Sequence, residues 1–239
     1  MQPTLIALGF LAGMSHALEP DHLAAVGALS AGKTTRAALV SRGAAWGLGH
    51  TITLFAICSA VILFGMALTS QMAAVLESGV GIMLIALGGA VLWRMQRARV
   101  HFHLHEHFDG ERHFHAHSHQ SERVPHRASA HRHSHRRRFP LKALVVGLVH
   151  GAAGSAGLLA LAMVSVPSPW LACFYVLLFG LGSIAGMASL SLIVSWPIGL
   201  AERFTNGFSR VIAVVVGFLG IGLGVHALAA NLPAAWGMA

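Results

Sequence analysis

The chain has 239 residues, of which 55% are hydrophobic and only 10% are charged. Soluble domains have about a quarter of their residues charged, so this composition excludes a water-covered globular fold and favours a membrane protein. The formal net charge of +8 does not indicate a nucleic-acid partner, because the basic residues are confined to segments between apolar stretches.

The apolar residues form six stretches that are long enough to cross a bilayer. A spanning helix needs about 20 residues, and helices are the default spanning element because lipid offers no hydrogen-bond partners to the backbone. No cation precedes Lys33, so no cleavable signal peptide is expected. The sequence therefore predicts an all-α integral membrane protein with six transmembrane helices, at 3–31, 38–68, 72–94, 141–165, 170–196 and 209–231.

All 16 Lys and Arg residues lie on the same side of the predicted membrane. They cluster near 32–37, 95–142 and 197–208, whereas the alternate connections at 69–71 and 166–169 contain none. The positive-inside rule puts the basic side in the cytoplasm. We expect a multi-pass protein of the bacterial inner membrane with both termini outside.

Short motifs recur between the two ends of the chain. GMSH at 13–16 matches GLVH at 147–150, and GLGH at 47–50 matches GLGS at 180–183. Two halves of three spans each must have opposite orientations, which is the inverted-repeat plan of many secondary transporters. Glycine packing shared by all membrane helices is the alternative explanation. The predicted units are repeats at 1–94 and 141–239, separated by a loop at 95–140.

Four ionisable residues fall within the motif HALEPDH at 16–22, near the middle of the first span. On an unbroken helix, Asp21 and His22 would lie about 140° and 120° around the axis from His16. Pro20 should break the helix and let these side chains converge. Imidazole and carboxylate ligands suit Ni²⁺, Co²⁺ and Zn²⁺. The alternative is a proline kink in which Glu19 and Asp21 cap the helix beside a water-filled pocket.

Further polar residues lie at membrane depth, where each is a functional hypothesis. His50 is predicted as a fourth ligand beside His16, Asp21 and His22, although a lone membrane histidine also serves as a helix–helix hydrogen bond. A supporting or gating role is predicted for the remaining polar residues and the proline: Glu19, Pro20, Thr51, Glu77, His150 and Ser155.

Two kinds of residue are given no role at the site. His226 lies near the outer end of the last span, where an interfacial histidine costs little. Cys58 and Cys173 lie within apolar stretches and are predicted to be buried thiols without a disulfide.

The loop between the third and fourth spans is rich in alternating histidines. It has too few aliphatic residues for a packed core, so it is predicted to be disordered without metal. Clustered imidazoles bind transition dications loosely, although the loop's arginines alone would explain its orienting role. The predicted loop ligands are His101, His103, His105, His107, His113, His115, His117 and His119.

These motifs resemble the nickel/cobalt transporter superfamily, whose hallmark is a His followed after four residues by Asp-His, here His16 to Asp21-His22. Gly49-His50-Thr51 resembles a second family motif, and LVHGAAGSAG at 148–157 is most similar to the UreH-type, urease-accessory branch. The resemblance is specific only around these segments, and the acidic motifs of the larger eight-span permeases are not found.

The leading hypothesis is a Ni²⁺ or Co²⁺ transporter, with uptake modestly favoured over efflux. The metal would be the substrate, no prosthetic group is expected, and cytoplasmic metallochaperones of a nickel or cobalt enzyme would be partners. A membrane metal sensor or delivery protein without transport is a weaker alternative. A metalloenzyme is disfavoured, because His105-Glu106-His107 does not have HExxH spacing.

Overall fold

The computed structural model describes residues 3–30, 35–66, 68–97, 100–106, 112–118, 139–154, 168–204 and 206–237. Seven helices and two strands lie in these ranges. They are α1 (Pro3–His16), α2 (Pro20–Ser30), α3 (Arg36–Phe64), α4 (Ser70–Arg97), β1 (Val100–Glu106), β2 (Arg112–Ser118), α5 (Leu141–Ala153), α6 (Pro169–Phe204) and α7 (Asn206–Ala235).

Among the described residues, four helical segments are long and apolar enough to cross a membrane: Arg36–Phe64, Ser70–Arg97, Pro169–Val194 and Val211–Ala235. The predicted first span is divided into α1 and α2, and the predicted fourth span is described only as far as Gly154. The chain is therefore a multi-pass membrane protein whose membrane part is helical. The count of six spans stays a prediction.

Local sequence explains where α3 and α4 begin and end. The Thr35 hydroxyl accepts a hydrogen bond from the N–H of Ala38 at 3.3 Å, which caps the first turn of α3. α3 ends at Gly65, whose φ of 63° is a left-handed conformation that favours glycine. Thr69 caps α4 in the same way, by accepting from the N–H of Met72 at 3.1 Å.

The helices pack as neighbours along their lengths. α3 lies between α5 and α6, α1 lies along α6, and α4 pairs with α7. Large apolar side chains cover the outside, as Leu8, Ile52, Ile82 and Phe218 are each at least 49% exposed. Such a surface fits contact with lipid. The interior contains small residues around Trp46 and Met187, both fully buried.

Glycines let α1 and α6 pack backbone to backbone. A Cβ atom on Gly13 would collide with the carbonyl oxygen of Phe179, and one on Gly182 would collide with the carbonyl oxygen of Phe10. This close approach is typical of membrane helix interfaces. Lipid provides no hydrophobic driving force between helices there, and small residues allow the close van der Waals packing that drives association.

The interface between α3 and α5 is built in the same way. A Cβ atom on Gly147 would collide with the carbonyl oxygen of Trp46, and one on Gly49 would collide with the carbonyl oxygen of Leu144. The two interfaces hold the polar residues of α1, α3 and α5 at fixed positions in the interior.

Two arginines connect α3 and α4 to the end of α2 by hydrogen bonds. Arg42 of α3 donates to the carbonyl of Leu29 at 3.0 Å, and Arg94 of α4 donates to the carbonyl of Ala28 at 3.4 Å. Both carbonyls belong to the last turn of α2, where a helix has unsatisfied acceptors and a negative dipole end. The end of α2, the start of α3 and the end of α4 therefore lie at the same end of the bundle.

The structure describes part of the range 95–140, and the disorder of this loop without metal stays a prediction. α4 continues to Arg97, and β1 pairs with β2 as an antiparallel hairpin. The physical reason is the alternation of histidines with Phe and other residues, which matches the two-residue period of a strand. The fold class is accordingly a helical membrane bundle with a two-stranded hairpin between α4 and α5.

Candidate metal centre

His16 and His22 face each other across the break between α1 and α2. Pro20 has no N–H to donate to the carbonyl of His16, and the N–H of Glu19 donates to it instead at 3.1 Å. The two imidazole centroids lie 4.5 Å apart. An unbroken helix would have directed these side chains apart, so the break predicted at Pro20 is confirmed.

His50 brings a third imidazole to this point from α3. Its ring centroid lies 5.2 Å from that of His16 and 5.4 Å from that of His22. One ring nitrogen from each histidine lies within 4.8 Å of the other two. Imidazole nitrogens that share an ion at tetrahedral geometry are about 3.4 Å apart, so small side-chain rotations would enclose an ion. We call His16, His22 and His50 the three-histidine set.

Each histidine of this set has at least one buried ring nitrogen without a hydrogen-bond partner among the described residues. Nε2 of His16, Nε2 of His22 and both ring nitrogens of His50 have no hydrogen-bond partner among the described residues. An unsatisfied buried polar atom costs about 1–3 kcal/mol, and each one in a native structure requires an explanation. One such nitrogen from each of the three histidines, all within 4.8 Å of one another, is a suitable ligand set for a dication.

In His16 and His22, the other ring nitrogen, Nδ1, contacts a carboxylate. Nδ1 of His16 lies 2.7 Å from Oε1 of Glu19, and Nδ1 of His22 lies 3.0 Å from Oδ1 of Asp21. With the proton on Nδ1, each ring donates to its carboxylate and keeps the Nε2 lone pair for a ligand. This pairing of carboxylate and histidine is characteristic of metal sites, where it fixes the ring and raises its basicity.

Asp21 also contacts the second half of the chain. Its Oδ2 atom accepts a hydrogen bond from Nε2 of His150 on α5 at 2.8 Å. Asp21, His22 and His150 form a second group with metal-ligand spacing, here called the carboxylate set. The structure thus brings three of the four predicted ligands together and places the fourth, Asp21, between His22 and His150.

Two aromatic residues line the site, and neither was among the site residues predicted from the sequence. Trp46 is fully buried, and its ring lies 5.4 Å from that of His22 and 5.6 Å from that of His150. Phe179 of α6 lies 5.2 Å from His16. The position of Trp46 four residues before His50, on the same helix face, was the available signal.

The predicted supporting residues have different positions. The buried Thr51 hydroxyl donates to the carbonyl of Gly180 at 3.0 Å, so it joins α3 to α6 and does not face the three-histidine set. Glu77 of α4 interacts electrostatically with Asp21, Glu19 and His150. Ser155 lies outside the described residues.

Six predicted loop ligands lie in the hairpin. His101 pairs with His117, His103 with His115, and His105 with His113. His107 and His119 lie outside the described residues. The predicted burial of Cys58, on α3, and Cys173, on α6, is confirmed.

Comparison with known proteins gives one match. No known family profile and no solved structure matches the chain. The chain is 29% identical over 225 residues to the urease accessory protein UreH of Bacillus sp. (strain TB-90), and the match covers 93% of this chain and 90% of that protein. The matched region includes both halves of the helical bundle. The chain is thus similar to a UreH-type protein over nearly its whole length, which agrees with the resemblance of its motifs to the UreH-type branch of the nickel/cobalt transporter superfamily.

Proposed function

We propose that the protein transports Ni²⁺ or Co²⁺ across the bacterial inner membrane and binds the ion at the three-histidine set. The observation that carries this proposal is the convergence of three imidazoles at a helix break inside the bundle, each with a buried ring nitrogen that has no hydrogen-bond partner among the described residues. Broken helices at mid-membrane depth are typical of substrate sites in secondary transporters.

The donor atoms favour a transition dication. Neutral imidazoles suit Ni²⁺, Co²⁺ and Zn²⁺, whereas Mg²⁺ and Ca²⁺ prefer oxygen ligands. Three protein ligands leave coordination positions for water, so the ion would stay exchangeable. A transport site must bind firmly enough to load and weakly enough to release.

Reciprocal contacts support the inverted repeat. Gly13 packs on Phe179, and Gly147, which is 134 residues after Gly13, packs on Trp46, which is 133 residues before Phe179. The same offsets relate the close approaches of Gly182 to Phe10 and of Gly49 to Leu144. Such reciprocity is expected of two units related by an approximate two-fold axis.

Under this repeat, the halves have different ligands. His16 corresponds to His150, but His50 corresponds to Ser183. The Ser183 hydroxyl donates to the carbonyls of Phe179 and Gly13, at 3.0 and 3.3 Å, so it serves helix packing. We propose that the first half, 1–94, holds the ion while the second half, 141–239, moves relative to it.

The arrangement of basic residues supports the orientation. Arg42 and Arg94 lie at the same end of the bundle, where α2 ends. With that end in the cytoplasm, both termini are outside and the loop at 95–140 is inside.

Uptake is favoured over efflux, with efflux as the alternative. The matched relative is named a urease accessory protein, and delivery of metal to an enzyme fits uptake better than efflux. The histidines of the loop at 95–140 would then collect incoming ions by loose imidazole coordination. It would pass them to cytoplasmic metallochaperones of a nickel or cobalt enzyme.

Accumulation of radioactive nickel in cells that lack other nickel transporters tests the proposal. His22→Ala should abolish the change in accumulation that expression of the protein causes. His226→Ala is the matched control, because His226 is an exposed histidine on α7 that belongs to neither ligand group.

The sign of the change separates uptake from efflux. Metal binding without any change in accumulation would instead favour the sensor or delivery protein. Equal accumulation by wild type and His22→Ala would rule out the site.

A further inference from the structure

His22 belongs to both ligand groups. Its unpartnered Nε2 is available to the three-histidine set, and its Nδ1 lies 3.0 Å from Asp21 in the carboxylate set. We propose that Asp21, His22 and His150 form a second binding position for the dication, which is occupied alternately with the three-histidine set. This inference rests on the proposed function and adds a step to it.

The shared imidazole makes the two positions mutually exclusive. A neutral imidazole has one nitrogen with a free lone pair, because the other nitrogen carries the proton. His22 can therefore offer Nε2 to an ion in the three-histidine set or Nδ1 to an ion in the carboxylate set. A single ion would occupy the pair of positions.

Movement of the ion from the three-histidine set to the carboxylate set does not require His22 or His150 to lose its proton. In the structure, His22 and His150 each have a ring nitrogen in contact with Asp21, at 3.0 and 2.8 Å. When the ion binds between these groups, the His22 proton moves from Nδ1 to Nε2 and the His150 proton from Nε2 to Nδ1. Nε2 of His22 and Nδ1 of His150 have no hydrogen-bond partner among the described residues, so both can accept a proton.

The two positions differ in exposure and charge. The Asp21 side chain is 34% exposed, whereas those of His22 and His150 are 1% and 2% exposed. Glu77 interacts electrostatically with Asp21, whereas Glu19 contacts His16 of the three-histidine set. A carboxylate tolerates a partly hydrated ion of many kinds, whereas three imidazoles select transition metals. The carboxylate set is therefore the position for the hydrated ion, and the three-histidine set is the selective one.

The carboxylate set also connects the two halves. His22 lies on α2 and His150 on α5, so an ion there is held by both predicted repeats. An ion in the three-histidine set is held by α1, α2 and α3 alone. Exchange between the two positions would couple ion movement to the relative movement of the halves.

Cobalt binding to the purified full-length protein tests this inference. The twelve loop histidines between 101 and 135 are replaced by Gln in every sample, so that they do not contribute to the signal. The visible Co²⁺ spectrum and X-ray absorption then report the stoichiometry and the number of imidazole ligands. The protein with both sets intact should bind a single Co²⁺ through three imidazoles.

Variants separate the two positions. His50→Ala removes a ligand of the three-histidine set and should still bind a single Co²⁺, now through two imidazoles and a carboxylate. His16→Ala should give the same result and replaces His50→Ala if that variant does not fold. His150→Ala should retain the three-imidazole spectrum but lose at least about tenfold in nickel transport. The double variant His50→Ala/His150→Ala should bind no Co²⁺.

Two outcomes would overturn the inference: no Co²⁺ binding by folded His50→Ala and His16→Ala, or binding of two ions by the protein with both sets intact. Neither affects the proposed function, provided that the wild type transports nickel. Absence of Co²⁺ binding with both sets intact would instead refute the proposed site itself.

Discussion

Oδ2 of Asp21 lies 2.8 Å from Nε2 of His150, although 129 residues separate the two in sequence. The contact joins α2 to α5, and the other carboxylate oxygen of Asp21 orients His22. A single carboxylate thus positions two buried imidazoles from different halves of the chain.

Asp21→Asn should weaken metal binding. The amide has one oxygen, so it cannot accept hydrogen bonds from both His22 and His150 through separate oxygens, and it has no charge. Loss of such an orienting carboxylate costs about 10–100-fold in metal affinity. Titration of the purified protein with Ni²⁺ measures the change. Gln71→Glu is a control that adds a carboxylate on the exposed start of α4, and it should leave affinity unchanged.

Pro20→Ala should also reduce affinity, through the backbone. Alanine restores an N–H that can donate to the carbonyl of His16, which favours a continuous helix and turns His22 away from His16. We expect at least about a tenfold loss of Ni²⁺ affinity. Pro233→Ala is the matched control, because Pro233 lies inside α7 near its end. Equal affinities in the two variants would contradict a role for the helix break.

Gly147→Ala should destabilise the protein, because its Cβ would collide with the carbonyl of Trp46 at the interface of α3 and α5. Overpacking of this kind costs about 1–3 kcal/mol, and a lower melting temperature in detergent would report it. Gly79→Ala is the control, since no atom lies within 4 Å of a Cβ built there. If both variants melted at the wild-type temperature, this result would contradict the close approach of Gly147 to Trp46.

Trp46 should report metal binding by fluorescence. Its ring lies 5.4 Å from His22 and 5.6 Å from His150, so a paramagnetic Ni²⁺ or Co²⁺ ion at either position should quench its emission. Trp46→Phe should remove most of the metal-dependent quenching but keep the aromatic packing. Trp93→Phe is the control, because Trp93 is 53% exposed. Unchanged quenching in Trp46→Phe would show that the ion binds elsewhere.

Local sequence determined much of this protein. Apolar length and the scarcity of charge determined the membrane class, because lipid accepts only satisfied backbones. Pro20 determined the break between α1 and α2, since a missing N–H acts on the neighbouring turn. The alternation of histidines from 101 to 117 is also visible in the sequence, whereas the antiparallel pairing of β1 with β2 is seen only in the structure.

Only the tertiary structure decided which side chains Asp21 contacts. Asp21 was predicted to bind the ion with His16, His22 and His50, but it lies between His22 and His150. Its partner could not be read from the sequence, because the distance between α2 and α5 depends on glycine contacts such as Gly147 with Trp46. Spacing along a chain determines which residues share a helix face, whereas the partner of a side chain across helices depends on packing between distant segments.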